Sequence, residues 1–217
     1  MRQFDHYEFT GILAPGVALL TGLAIVFPNV YALDSFKDVS VGGLGLFVVL
    51  AYVAGHLIQA VGNVLENIWW RAWGGMPSDW IRSKPNALLA TEQVKALAAH
   101  AKRLLGLADL DIGELTSKQW YAVTRQAHAA IVSAGRAGRV ETFNGNYGLN
   151  RGLAAALFVV SLVSLAVQPA RCEVAAVGFV VGCLALYRMH RFARHYAREL
   201  FVQFLQLPVT DSTKGKK

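Results

Sequence analysis

The chain has 217 residues, 54% hydrophobic and 16% charged, with a mean hydropathy of +0.38 and a formal net charge of +7. Soluble domains carry roughly 25% charged residues, so this composition excludes an ordinary soluble domain, and two cysteines exclude a disulfide scaffold. In so apolar a chain the basic excess reads as the cytoplasmic face of a membrane protein rather than as a nucleic-acid surface.

A spanning helix needs roughly 20 apolar residues, because a ~30 Å hydrocarbon core is crossed at 1.5 Å per residue. Residues 9–27 carry no charge and close at Pro28. Val30, Tyr31 and Ala32 have the form of a small-residue cleavage site. The apolar run is longer than a signal core, however, and Asp5 and Glu8 stand beside Arg2 in its leader, so it reads as an uncleaved span. Residues 41–61 form a second uncharged run, followed by Trp69, Trp70 and Trp73 at the expected headgroup level.

Residues 67–149 follow as one long insertion. Breaks fall at residues 74–78 and 84–86, an amphipathic helix is predicted over 87–107, and Asp109 and Asp111 mark a turn. From Thr116 the pattern is helical again as far as Phe143, with a glycine-rich irregularity expected at 144–148. Nothing alternates as strands do. The insertion is expected to be a small helical layer at the membrane, too small for a classical enzyme domain with its own core.

Residues 152–168 give a third span ending at Pro169, and residues 174–187 a shorter fourth. Nineteen of the 21 Lys and Arg residues fall on one side if both termini are cytoplasmic; only Lys37 and Arg171 fall on the other. That asymmetry fixes the expected topology. The fold class expected is an all-α integral membrane protein with four transmembrane helices and a helical cytoplasmic insertion between the second and third. Residues 1–66 hold the first two spans, 67–149 the insertion, and 150–217 the last two spans with a basic amphipathic C-terminal helix.

Within the second span His56, Gln59, Asn63 and Glu66 are spaced 3, 4 and 3 apart, and Tyr52 joins them on an arc of about 80°. Polar side chains are costly in hydrocarbon and face protein or water. Two readings stand: interhelical hydrogen bonding within a bundle, or a polar seam along an aqueous path in a homo-oligomer. Ala51 and Gly55, and Gly178 and Gly182 in the fourth span, are small-residue pairs that let helix backbones approach.

Beyond the fourth span Arg188, Arg191, Arg194 and Arg198 line one side of a helix, with Met189, Phe192, Tyr196, Leu200 and Phe204 on the other. This pattern suits anionic lipid or a partner protein. Arg188 and His195 also have the loose spacing of the Arg/His pair of HEPN ribonucleases, which work on an RNA phosphate and ribose hydroxyl; this is the catalytic alternative. Arg125 and His128, beside Trp120 and Tyr121, read as a solvated helix edge. No phosphate loop, metal-ligand spacing or nucleophile elbow occurs, so neither cofactor nor metal is expected.

The stretches FDHYEFTGILAPG (residues 4–16), AYVAGHLIQAVGN (51–63) and FNGNYGLNRGLA (143–154) resemble small multispanning membrane proteins of bacterial anti-phage defence islands, the accessories of type VI-B CRISPR or RADAR systems. The resemblance implies an oligomeric inner-membrane effector or accessory that perturbs the membrane, together with a cytoplasmic defence protein or nucleic-acid complex as partner. A membrane-tethered ribonuclease and a small transporter are the alternatives.

Overall fold

Pro15 lacks an N–H and its ring obstructs the preceding turn. Around it the chain opens as a π-helical turn, Glu8–Leu13, before α1, Ala14–Val26. The remaining helices are α2 (Val41–Ala72), α3 (Pro77–Ser83), α4 (Thr91–Leu105), α5 (Ser117–Ser133), α6 (Gly138–Val167) and α7 (Cys172–Leu205). This is a computed structural model that describes residues 8–28, 41–83, 87–105 and 111–208. The signal-like site at 30–32, the break at 84–86, Arg2, Lys37, Asp109 and the polar tail after Val209 lie outside the described residues.

Among the described residues the chain is all-helical, and three helices, α2, α6 and α7, are long and apolar enough to cross a membrane. The first apolar segment forms a shorter helix, Thr10–Val26. Its 17 residues reach about 25 Å at 1.5 Å each, less than the hydrocarbon thickness.

Residues Met1–Ala72 and Gly145–Phe192 form one unit. Ile58 of α2 and Ala155 and Ala156 of α6 make its buried centre, and Ala18, Leu19 and Val159 pack against it. Here α1 and α2 meet backbone to backbone. A Cβ on Gly16 would overlap the Ala51 carbonyl oxygen, and one on Gly55 would overlap the Ile12 carbonyl oxygen. Such contact adds dispersion where lipid supplies no hydrophobic drive. The small pair on α7 meets α6: a Cβ on Gly178 would lie 2.5 Å from Ser161 Oγ, and one on Gly182 would lie 2.7 Å from the Phe158 ring.

Residues Trp73–Asn144 and Ala193–Lys217 form the second unit, and it has an apolar core. Leu97, Trp120, Ile131, Val140, Leu200, Phe201 and Phe204 are almost wholly buried, and Trp120 stacks on Phe201 with ring centroids 5.4 Å apart. By its size the insertion alone was expected to be too small for an enzyme domain with its own core. The C-terminal part of α7 adds Leu200, Phe201 and Phe204 to it, so this apolar side of the basic helix is spent inside the protein rather than on lipid.

Two local expectations also change. The glycine-rich stretch 144–148 is continuous helix within α6, where the Asn150 side chain donates to the Asn146 carbonyl at 2.7 Å. The long helix expected from Thr116 instead ends at Ser133. Gly135 adopts φ +70°, and its N–H and that of Arg136 donate back to Val132 and Ile131, a Schellman ending that a side-chain-bearing residue adopts only with strain. At the other end of α5, Thr116 and Gln119 form a reciprocal capping box.

Candidate functional site: the three faces of helix α2

Helix α2 presents three distinct faces. Ala51, Gly55, Ile58 and Gly62 are buried. Val53, Leu57, Val61, Val64 and Ile68 are exposed and wholly aliphatic, as a surface against lipid tails requires. Between these runs a third face. At about 100° per residue Gly45, Val49, Tyr52, His56, Ala60, Asn63 and Asn67 fall within an arc of about 80°, and all seven are exposed; the polar members begin at Tyr52.

The five polar residues singled out in the second span therefore divide. Tyr52, His56 and Asn63 turn outward. The His56 ring stands edge-on to Tyr52, with centroids 4.7 Å apart, and Asn63 has no hydrogen-bond partner among the described residues. Gln59 and Glu66, at the edge of the same arc, turn instead toward Arg151 of α6. The guanidinium donates to Gln59 Oε1 at 2.9 Å through one terminal nitrogen and to the Glu66 carboxylate through the other. Both ionic side chains retain only 16% of their exposure. The Gln59 amide nitrogen donates in turn to the Gly11 carbonyl at 2.5 Å and the Gly148 carbonyl at 3.3 Å. One glutamine thus joins α2 to α6 and to the π-helical turn before α1.

The network continues through aromatic residues. Arg151 lies 5.9 Å from the centroid of Tyr147, whose hydroxyl accepts from Trp70 Nε1 at 2.9 Å. Trp69 Nε1 donates to His190 Nδ1 of α7 at 3.2 Å, and the same imidazole packs against Trp70 at 5.2 Å. Tryptophans expected merely to mark the headgroup level are therefore tied into α6 and α7.

Arg151 was counted in the sequence only as a topological charge. The signal that identifies it is a lone cation at the start of an apolar run, in a chain where another span carries unmatched polar groups. Glu66 pairs with Arg151 across the bundle rather than with Arg71, which is exposed on its own helix.

Arg188, Arg191, Arg194 and Arg198 are all exposed. The Arg188 guanidinium lies over Phe192 at 5.4 Å, and Arg198 Nε donates to the Leu88 carbonyl at 3.3 Å. His195 stacks on Phe143 at 5.4 Å. Seven positions on one helix separate Arg188 from His195 by about 10 Å along the axis, and each has an aromatic neighbour of its own. Among the described residues no three His, Cys, Asp or Glu side chains gather as metal ligands do. Cys172 and Cys183 are free thiols.

In the second unit His100 of α4 stands edge-on to Phe204 at 5.0 Å, with Nε2 buried and without a hydrogen-bond partner. Burial holds its pKa below the ordinary 6.5, and the charge of Arg103 acts in the same direction, partly offset by a hydrogen bond with the Phe204 backbone. No protein family, curated protein or solved structure matches this chain.

Proposed function

We propose that this chain is an oligomeric inner-membrane protein that perturbs the membrane as a pore- or channel-like effector or accessory, of the kind that the defence-island resemblance implies. The observation that carries the reading is the outward face of α2. An exposed histidine and asparagine on a helix able to span a bilayer are stable where water or protein, rather than hydrocarbon, receives them. A hydrated path lined by Tyr52, His56 and Asn63 meets that need, because polar side chains replace the hydrogen bonds that water loses in a constriction.

In this reading α1, with its flanking residues, completes a fourth crossing, both termini are cytoplasmic, and the second unit is the cytoplasmic layer that receives a defence protein or nucleic-acid complex. The asymmetry of Lys and Arg supports that orientation. The exposed row of Arg188, Arg191, Arg194 and Arg198 fits anionic headgroups at the same face.

The test is leakage of ions or a small dye from liposomes containing the purified full chain. His56→Leu combined with Asn63→Leu should suppress leakage in protein that still assembles, since an apolar constriction dewets. Undiminished leakage from assembled double variant overturns the assignment of this face as the path.

A further inference from the structure

The outward face of α2 also identifies what covers it. We infer that the occupant is the same face of α2 in other copies of this chain, so that the stripes converge on a shared symmetry axis; this rests on the oligomeric reading above. Three observations support a like partner.

First, from Tyr52 onward the exposed surface of α2 is segregated. The aliphatic arc of Leu57, Val61 and Val64 is continuous and suited to lipid, whereas the polar groups are confined to the neighbouring arc. A helix bathed in lipid on both arcs has no reason to sort them. Second, the groups on the stripe are complementary to themselves. A side-chain amide and an imidazole each donate and accept, so Asn63 and His56 are satisfied by copies of themselves or by water held between copies, as a symmetric contact requires. Third, Gly45 and Ala60 keep the stripe low at two levels of the helix. A Cβ on Gly45 would meet nothing within 4 Å, unlike Gly16, Gly55, Gly178 and Gly182, which are filled from within the protomer. The polar groups from Tyr52 to Asn67 extend about 23 Å along the helix.

The partner is thus fixed by hydrogen-bonding chemistry and not by apolarity alone. The Arg151 network acts through α2: by drawing Gln59 and Glu66 inward it leaves Tyr52, His56 and Asn63 as the outward face.

Disulfide scanning in native membranes tests this. In full-length protein with Cys172→Ala and Cys183→Ala, single cysteines are placed on the stripe (Gly45→Cys, Ala60→Cys, Asn63→Cys) and on the aliphatic arc (Leu57→Cys, Val61→Cys, Val64→Cys). Mild oxidation should convert most of the monomer band to disulfide-linked dimer for the stripe and leave the arc monomeric. Dimer from the arc instead, or from both sets equally, overturns the inference. An amine-reactive cross-linker applied to the same membranes separates the two failures. Oligomer without stripe disulfides overturns the interface and leaves the oligomeric reading standing; monomer only overturns both. Stripe disulfides in a protein that causes no leakage support the interface and overturn the pore.

Discussion

Arg151 of α6 and Glu66 of α2 form an ion pair with both side chains 16% exposed, and Gln59 Oε1 accepts from two further guanidinium nitrogens, at 2.9 and 3.3 Å. Two buried charges are tolerable only together: each is expensive to desolvate alone, and their attraction offsets that cost where further hydrogen bonds satisfy the remaining donors. The pair therefore fixes the rotation of α2 more than it adds net stability.

Removing one partner should consequently cost more than removing both. Arg151→Met is expected to destabilise the folded protein by up to about 3 kcal/mol, because Glu66 is left largely out of water without its counter-ion. Arg151→Met with Glu66→Met should recover part of that loss. Thermal unfolding in mild detergent, read on the single and double variants, measures the coupling; strictly additive losses would refute it.

The crossing of α1 over α2 makes a second prediction. Gly55→Val and Gly16→Val drive a side chain into backbone carbonyl oxygens that no rotamer change can move. Overpacking of this kind costs about 1–3 kcal/mol or more, and it should appear as lost thermal stability and proteolysis near residue 28. Gly62→Ala, which meets only Arg151 at 3.3 Å or beyond, should be much milder.

His100 gives a pH dependence with a definite sign. Its folded pKa lies below the ordinary 6.5, so as pH falls below that value the unfolded chain takes up the proton more readily than the folded one. Stability is thus fully present above about pH 6.5 and declines as pH falls toward and through the lower folded value. Wild type should lose stability between pH 7 and 5 relative to His100→Gln. Parallel curves for the two proteins would remove His100 as the cause.

The proposed orientation places Cys172, next to the turn Pro169–Arg171, on the outer face. A membrane-impermeant thiol reagent should label wild-type protein on intact cells and fail on Cys172→Ser, while Lys118→Cys in the Cys172→Ser background should label only after lysis. The reverse pattern would invert the topology.

The sequence by itself determined the helical, membrane-compatible character of the chain. Hydrocarbon obliges each spanning segment to satisfy its own backbone, so length and hydropathy suffice to locate α2, α6 and α7. It also placed Tyr52, His56, Gln59, Asn63 and Glu66 on one arc, because helical periodicity is a local property. Which edge of that arc turns inward was a matter for the tertiary structure: Gln59 and Arg151 are 92 residues apart, and no spacing rule links them. The core of the second unit was hidden for the same reason, since Phe201 and Phe204 lie far along the chain from Trp120 and His100. Local periodicity carries the faces of a helix; only packing between distant segments decides which face meets protein and which stays exposed.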